Sequence, residues 1–492
     1  MKTAGVSRRE FAGGLAAGLA AAPLAAQGAG RPNIVLILID DLRWDALGCA
    51  GHPWAKTPHL DRLAARGARF RNAFVTTSLC SPSRASILTG QYMHAHGVQD
   101  NFTALPASLP TFPRVLQQSG YQTAFIGKWH MGDAQLNRGG EDSDSPQPGF
   151  DHWVSFRGQG TYFNPQLNRN GVRQKVEGYT TDILTGEAVR FVERQKQDRP
   201  FCLYLSHKAV HAGFEPAPRH RALYEDREIA TPASATVREG KPQWLLRKRD
   251  VSRHGLRNLY EGEYTLPSLY RQYMRSLAAV DDSVGAVEQA LERGGFLDNT
   301  LFVFLGDNGF LLGEQGLVDK RVMHEPSIRV PLLAAWPGRI PAGTVRDELA
   351  LNLDIAPTLV SAAGGTPPAS MQGASLLSLF SARPSSWRKE FVYEYLWDWE
   401  APHTPGVVGL RSETHSYMEY QGVWDVNELY DVSRDPRQMN NLLAGSETTT
   451  EAGGWLRRVT DPVTQKLARE MRARMVSILN STGGAHLAKG PA

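Results

Sequence analysis

Residues 31–41 have the sequence Arg-Pro-Asn-Ile-Val-Leu-Ile-Leu-Ile-Asp-Asp. The six residues at 34–39 are all aliphatic, and polar residues bound them on both sides. A strand with one face in solvent would alternate apolar and polar residues, so this continuous run predicts a strand buried on both faces, as in a parallel sheet. The strand is followed directly by two acidic residues, Asp40 and Asp41.

Strand and helix patterns alternate along the chain after this run. The further predicted strands lie at 70–77, 121–127, 200–206, 301–305 and 330–335. The predicted helices lie at 58–66, 84–88, 109–119, 180–194, 268–292 and 354–363. Strands that alternate with helices predict an α/β fold with a large, doubly wound, mostly parallel sheet flanked by helices.

The character of the sequence changes near residue 384. Three short strand patterns, at 390–395, 406–411 and 415–420, precede a helical pattern at 462–478. Residues 384–480 are therefore predicted to form a small C-terminal α+β subdomain, a short antiparallel sheet plus a helix. Residues 31–383 would form the main domain, and residues 481–492 are predicted to be a disordered tail.

The N-terminus has the pattern of a twin-arginine export signal. Ser7-Arg8-Arg9-Glu10-Phe11 precedes a run of small residues that ends near Ala26, so residues 1–26 are predicted to be a signal peptide. The run is short and weakly apolar, whereas a transmembrane helix needs about 20 predominantly apolar residues. The protein is therefore predicted to use the twin-arginine export machinery, to be periplasmic or secreted, and not to be an integral membrane protein.

Composition argues against two classes of protein. The 54 Lys and Arg residues are nearly balanced by 50 Asp and Glu residues, whereas a nucleic-acid-binding domain would be strongly basic. The chain has three cysteines, Cys49, Cys80 and Cys202, so no disulfide framework is indicated. Low cysteine use agrees with twin-arginine export, because that route moves proteins already folded in the reducing cytoplasm.

Polar and charged residues follow four of the predicted strands. They are Asp40-Asp41, Lys128-Trp129-His130, His207 to His211, and Asp307-Asn308. Open parallel sheets place ligand sites at the carboxyl ends of their strands. The two oxygen-bearing pairs favour Ca²⁺ or Mg²⁺ over zinc because they offer hard ligands and no thiolate. Either pair alone could equally be a turn or a helix cap.

Residues 79–90 have the sequence Leu-Cys-Ser-Pro-Ser-Arg-Ala-Ser-Ile-Leu-Thr-Gly. A helix is predicted here, with Ser81 as a candidate cap and Pro82 at the first helical position. Cys80 would lie just ahead of the helix N-terminus, where backbone N–H groups favour an anion. A lone cysteine is more often a buried apolar residue, but Cys-x-Pro-x-Arg, which ends at Arg84, resembles the signature of type I sulfatases.

This resemblance, which extends over residues 31–442, implies an enzyme of the alkaline phosphatase-like superfamily, most like bacterial carbohydrate sulfatases. In the family a maturation enzyme oxidises the cysteine to formylglycine (3-oxoalanine), and the hydrated aldehyde is the nucleophile. The resemblance implies one bound Ca²⁺, with Mg²⁺ as the alternative. The implied metal ligands are Asp40, Asp41, Asp307, Asn308 and the modified residue at Cys80.

The resemblance also implies a role for each remaining candidate residue in the hydrolysis of a sulfate ester. Arg84, Lys128 and Lys320 would hold the sulfate oxygens, because fixed positive charge must face an anionic group. His211 would contact the substrate and protonate the leaving oxygen. His130 would then remove a proton from the second hydroxyl of the nucleophile, so that sulfate departs.

Two segments bear on the substrate. Residues 205–218 resemble those of sulfatases that act on 6-sulfated glucosamine and heparan-type sugars, which favours a sulfated carbohydrate. An insertion at 238–257 holds seven Lys and Arg residues and two acidic ones, with no clear helix or strand pattern. It is predicted to be a loop that attracts a polyanion and stacks a sugar on Trp244, or else a solvated charged loop. His324 stands where the family usually has an aromatic residue.

Three other functions stay open at this point. The same nucleophile and metal would serve an arylsulfatase or a hydrolase of phosphonate or phosphate diesters. A catalytically inactive, exported sugar-binding homologue is the third, and it would require a missing residue in the predicted site.

Overall fold

A computed structural model of the protein describes residues 30–132, 143–381, 386–423, 425–444 and 461–488. The predicted signal peptide and residues 133–142 lie outside the described residues. Within the described chain, no helix combines the length and apolar character needed to cross a membrane.

The main domain is built around strands that are numbered in chain order. They are β1 (Asn33–Ile39), β2 (Ala68–Phe70), β3 (Ala73–Phe74), β4 (Gln122–Lys128), β5 (His152–Phe156), β6 (Gln166–Arg169), β7 (Val172–Lys175), β8 (Phe201–His207), β9 (Thr300–Gly306), β10 (Leu332–Ala335), β11 (Thr344–Arg346) and β12 (Ala350–Leu351). All but β3 and β12, which pair with each other, form one sheet in the order β11-β2-β10-β9-β1-β8-β4-β5-β6-β7.

The central strands β9, β1, β8, β4 and β5 are parallel to one another, and antiparallel pairs lie toward both edges. All seven residues of β1 are buried. Ile34, Leu36 and Leu38 pack into one apolar cluster, whereas Val35 and Ile37 pack into another on the opposite face. The apolar run at 34–39 therefore exists because helices cover both faces of the sheet.

The helices are α1 (Pro58–Arg66), α2 (Cys80–Thr89), α3 (Met93–His96), α4 (Phe112–Gln118), α5 (Thr180–Glu193), α6 (Gln243–Val251), α7 (Leu266–Arg293), α8 (Glu325–Ile328), α9 (Ile355–Ala362), α10 (Leu377–Ser381) and α11 (Pro462–Thr482). α1, α5 and α7 pack together on one side of the sheet, and α2, α4 and α9 pack together on the other. The predicted fold class, a mostly parallel sheet between helices, is confirmed.

The C-terminal part forms the predicted small antiparallel sheet. Its strands are β13 (Glu390–Tyr395), β14 (Gly406–Ser412), β15 (His415–Gln421) and β16 (Glu428–Asp431), in that order, and α11 packs against them. β16 was not predicted as a strand. The predicted disordered tail is wrong over residues 481–488: α11 extends to Thr482, and Leu487 is buried against the core. The rest of that tail lies outside the described residues.

Candidate active site

The four predicted strand ends meet at one edge of the large sheet. β9, β1, β8 and β4 are consecutive and parallel, so their carboxyl ends lie side by side. Ile39 is level with both His207 and Gly306 in the two ladders. Asp40 and Asp307, which follow those positions, are thereby brought together in space.

Two backbone features shape these strand ends. Gly127 has a φ of +120°, and a Cβ atom there would lie 1.8 Å from the carbonyl oxygen of Ser206. Only glycine therefore lets β4 approach β8 closely enough to present Lys128 at the edge. Asp41 adopts the left-handed region at a φ of +56°, which aspartate tolerates better than most residues, and its N–H donates to Oδ1 of Asp307 at 3.0 Å.

The N-terminus of α2 meets the same edge. Cys80 is the first residue of the helix, after Leu79 in extended conformation, and Sγ lies 3.3 Å from Oδ1 of Asp40. The predicted cap is wrong, because Ser81 lies inside the helix and its hydroxyl donates to the backbone carbonyl of His130. That hydrogen bond ties α2 to the segment that follows β4.

Three buried carboxylates crowd together beside Cys80. Oxygens of Asp40, Asp41 and Asp307 lie within 4.8 Å of one another. Burial and then the charge of Asp40 raise the pKa of Asp307 to about 7, and burial raises the pKa of Asp41. Burial would also raise the pKa of Asp40, but Lys128 and other cations outweigh it and hold that pKa well below its usual value. A divalent cation would relieve this repulsion.

Asn308 adds a fourth oxygen donor. Its Nδ2 donates to Oδ1 of Asp41 at 2.7 Å, whereas its Oδ1 is buried without a hydrogen-bond partner among the described residues. An unsatisfied buried acceptor costs about 1–3 kcal/mol, and a bound cation would remove that cost. Because the donors are all hard oxygens, the set fits Ca²⁺ or Mg²⁺.

Two buried lysines face the sulfur of Cys80. Nζ of Lys320 lies 2.8 Å from Sγ and also donates to Asp41. Nζ of Lys128 lies 3.7 Å from Sγ and donates to Asp40. Burial raises the pKa of the Cys80 thiol to about 12, so the unmodified side chain is neutral and a poor nucleophile. The surroundings suit a bound oxyanion better than a reactive thiol.

Arg84 lies on the inner side of this cluster and is buried. Its Nε donates to Oδ2 of Asp307 at 2.9 Å, and Nη1 donates to the hydroxyl of Ser206 at 2.7 Å and to the carbonyl of Lys128 at 2.6 Å. The guanidinium therefore orients the carboxylate of Asp307 and joins the ends of β4 and β8. Its predicted contact with sulfate oxygens stays a prediction.

The two predicted catalytic histidines belong to the same charged cluster, because Asp40, Lys128 and Lys320 act on the pKa of both. His211 is 15% exposed, and its Nε2 is 3.8 Å from Oδ2 of Asp41. Nδ1 of His130 is 3.3 Å from the hydroxyl of Ser81, and burial and then Lys128 lower the pKa of His130. A neutral imidazole at residue 130 can accept a proton, and His211 is the more exposed of the two side chains.

Other histidines of the chain have partners inside the fold. His94 contacts Glu394 at 2.9 Å, His96 contacts Ser86 at 3.1 Å, and His207 contacts Ser283 at 2.9 Å. His324, which replaces the usual aromatic residue, is buried 3.7 Å from Glu428 of β16.

Three residues near the site were not anticipated. Oε1 of Gln159 accepts a hydrogen bond from Lys128 at 2.5 Å, and Oδ1 of Asn101 accepts one from the N–H of Ser81 at 3.3 Å. Burial and then Lys128 lower the pKa of Lys208 to about 8. Lys208 could have been found from its place at the same strand end as His211, but no motif marks Asn101 or Gln159.

Two family models match this chain. The sulfatase model matches residues 32–365, more than half of the chain, and the model described as N-sulphoglucosamine sulphohydrolase, C-terminal, matches residues 313–463. The chain belongs to the sulfatase family. It is a sulfuric ester hydrolase, and the family predicted from the residues around Cys80 is confirmed.

Similar sulfatases cover most of the chain. The N-acetylglucosamine-6-O-sulfatase of Bacteroides thetaiotaomicron is 34% identical over 478 residues, covering 85% of this chain and 83% of that protein. The N-acetylglucosamine-6-sulfatase of Capra hircus is 30% identical over 464 residues, covering 85% and 81%. A solved structure of a protein in complex with its substrate D-glucosamine-2-N,6-O-disulfate has a TM-score of 0.81 at 29% identity, covering 92% of this chain and 98% of that one.

The insertion at 238–257 of this sulfatase is not a loop, and that prediction is wrong. Its middle forms α6, and three of its seven cations are buried, namely Lys241, Lys248 and Arg249. Trp244 is also buried and packs edge-on against Tyr420 at 5.0 Å between ring centroids, so a sugar cannot stack on it. The helical pattern was hidden because the buried side of α6 carries long cations as well as apolar residues.

Lys248→Ala is expected to destabilise this sulfatase by about 3 kcal/mol, the lower end for a broken buried ion pair. Nζ of Lys248 lies 2.5 Å from Asp319, and Arg321 would remain 3.2 Å from that carboxylate. Urea unfolding measures the loss. Arg247→Ala, on the exposed side of the same helix, is the control and should change stability by less than about 0.5 kcal/mol. Equal stabilities of the two variants would contradict the structural role of Lys248.

Proposed function

We propose that this sulfatase removes the 6-sulfate from glucosamine-containing sugars, of the N-acetylglucosamine or heparan type, giving the sugar alcohol and inorganic sulfate. The placement of Cys80 carries the proposal. Its Sγ lies at the N-terminus of α2, between Asp40 at 3.3 Å and Lys320 at 2.8 Å. A nucleophile at this position would face both the carboxylates that can hold a cation and the ammonium groups that donate to them.

We assign formylglycine, made from Cys80 by a maturation enzyme, as the nucleophile. It would supply a hydrated aldehyde, one hydroxyl of which attacks the sulfur atom. The cation, Ca²⁺ or alternatively Mg²⁺, would supply positive charge that acidifies this hydroxyl. The residues that would hold the cation are Asp40, Asp41, Asp307 and Asn308, together with residue 80.

The remaining site residues have separate tasks in this proposal. Lys128 and Lys320 bind the non-bridging sulfate oxygens, because the ammonium groups of both lie beside residue 80. Arg84 holds Asp307 in place. His211, at the partly exposed mouth, donates a proton to the leaving oxygen, and His130 accepts one when sulfate is released.

Support for the substrate comes from the relatives. Both relatives described above are named as N-acetylglucosamine 6-sulfatases, and the structural neighbour was solved with D-glucosamine-2-N,6-O-disulfate as its substrate. All three are similar over more than four-fifths of this chain. A glucosamine with sulfate at oxygen 6 is the unit that these names share.

We also propose that the protein acts outside the cytoplasm. The twin-arginine pattern at residues 1–26 supports export to the periplasm or the medium, where the enzyme would encounter sulfated polysaccharides. In this proposal residues 31–383 form the catalytic domain and residues 384–480 the smaller C-terminal subdomain.

A substrate panel tests the proposed function. Desalted, matured protein would be assayed for product release from N-acetylglucosamine 6-sulfate, glucosamine 2-N,6-O-disulfate, an aryl sulfate, and a phosphate and a phosphonate diester. The 6-sulfated glucosamines should give the highest kcat/KM. Faster turnover of the aryl sulfate or of either diester would favour the corresponding alternative enzyme, and no turnover of any compound by fully matured protein would favour a sugar-binding homologue.

His211→Ala should slow poor leaving groups far more than good ones. A general acid contributes about 10²–10⁴ in rate when the departing oxygen needs a proton, so sugar sulfates should lose about that factor while an activated aryl sulfate loses much less. Initial rates on both substrates measure the difference. His207→Ala removes a neighbouring histidine that contacts Ser283 and should not discriminate between leaving groups. Equal losses for His211→Ala on both substrates would disprove its acid role.

A further inference from the structure

Two cavities lie along α6 and the segment between β13 and β14. One has a volume of about 400 Å³ and is lined by Arg247, Trp397 and Val423 among others. The other has a volume of about 300 Å³ and is lined by Val251, His254 and Glu400 among others. Pro402 and His403 belong to the walls of both cavities, so we treat the two as one groove.

The inner end of the groove reaches the residues that surround residue 80. Oε2 of Glu400 is 3.3 Å from Nδ2 of Asn101, and Oδ1 of Asn101 accepts a hydrogen bond from the N–H of Ser81. Nδ1 of His254 lies 3.7 Å from Asp319, whose chain neighbour Lys320 contacts Cys80. Glu400 and His254 therefore connect the groove, through Asn101 and Asp319, to residues that are next to Cys80 in the chain or in contact with it.

Exposed apolar side chains are concentrated in this groove. Of the eight large apolar side chains that are exposed in the described part of the chain, Trp397, Val251 and Val423 line it. Trp397 is 57% exposed. An accessible indole face in a concave surface is a common feature of ligand sites, and contiguous exposed apolar surface usually marks a binding surface.

The charge at the outer end of the groove selects the ligand. Arg247 is exposed. Among the described residues that line the larger cavity, it is the only Lys, Arg, Asp or Glu. The described residues give Arg247 no ion pair, whereas exposed cations of the same segment, such as Arg238, pair with Asp250. A guanidinium without a carboxylate partner beside an indole face suits a ring that carries a sulfate or carboxylate.

We propose that the groove binds the sugar unit next to the one whose sulfate is removed, so that the substrate is an acidic oligosaccharide. This inference rests on the proposed function. The neighbouring ring lies on the face of Trp397, and its sulfate or carboxylate contacts Arg247. Trp244 also lines the larger cavity, but it is buried and packed against Tyr420, so Trp397 takes the role predicted for Trp244. Of the seven cations of the insertion, only the exposed ones remain available.

Binding measurements test the groove without turnover. In full-length Cys80→Ala protein with Ca²⁺ present, calorimetry would compare a heparin-derived tetrasaccharide with glucosamine 2-N,6-O-disulfate. The tetrasaccharide should bind more tightly than the monosaccharide. Trp397→Ala should lower the ratio of these affinities, tetrasaccharide to monosaccharide, by about three- to tenfold. Trp397→Phe should restore most of the ratio because it retains an aromatic face. Arg247→Gln should lower the ratio at low salt, with a smaller effect at high salt.

Arg434→Gln is the matched control, because Arg434 is an exposed cation that lines neither cavity, and it should leave the ratio unchanged. If the two ligands bound with equal affinity, or if Trp397→Ala weakened the binding of both equally, the proposal that the groove binds the adjacent sugar would be wrong. Those results are independent of sulfate release, so a wild-type protein inactive on every 6-sulfated glucosamine would refute the proposed function separately.

Discussion

Replacing Cys80 with alanine is expected to abolish sulfate release, with kcat falling by a factor on the order of 10⁶, as for removal of an enzyme nucleophile. The thiol itself is neutral, because burial raises its pKa to about 12. In our account it is the precursor of the reacting group, and alanine cannot be converted to an aldehyde. Initial rates of sulfate release, with wild type and variant matured in the same way, measure the effect.

Cys202→Ala is the control for this variant. Cys202 is equally buried, on β8, and packs in the apolar core, so its replacement should leave the rate within a few-fold of wild type. Substantial activity in the Cys80→Ala protein would show that residue 80 is not the nucleophile. The metal ligands and the two lysines would then have to act in another mechanism.

Asp307→Ala is expected to lose both the bound cation and turnover. Asp307 places one oxygen among the acidic cluster and accepts hydrogen bonds from Arg84 and from the backbone of Asp41. Removal of a cation that supplies several kcal/mol of charge stabilisation should lower kcat by at least about 10³. Elemental analysis of the purified protein and rates before and after chelation measure the two losses.

Asp298→Ala is the matched control, because Asp298 is exposed at the opposite end of the same strand, β9. It should retain both metal and activity. Full activity after exhaustive chelation, with no divalent metal detected, would contradict the assignment of the carboxylate cluster. Restoration by Ca²⁺ but not by Mg²⁺ would identify the ion.

The sequence predicted the central strands β1, β4, β8 and β9, and the structure brings the predicted site residues together at their ends, because both depend on one rule. A strand between two parallel neighbours has to be apolar on both faces, which the run at 34–39 shows directly, and polar residues can return only where the strand ends. That is where Asp40, Lys128, His211 and Asp307 stand, and parallel pairing brings such ends together. The predicted positions needed no information on how the helices pack.

The features that the sequence did not reveal depend on tertiary contacts. β7 is exposed along its whole length, so it has no apolar pattern and exists through its pairing with β6. α6 has long cations on its buried side, where Lys248 meets Asp319. Leu79, in extended conformation, occupies the N-cap position of α2, so Ser81 lies inside the helix. A serine is the more common residue at an N-cap.

The most direct test of the account is the rate of sulfate release from N-acetylglucosamine 6-sulfate against the fraction of residue 80 converted to formylglycine. Preparations with increasing amounts of maturation enzyme would supply the range, and the mass of the peptide that contains residue 80 would give the converted fraction in each. The account predicts a straight line through the origin. A full rate in protein whose residue 80 is entirely cysteine would contradict it.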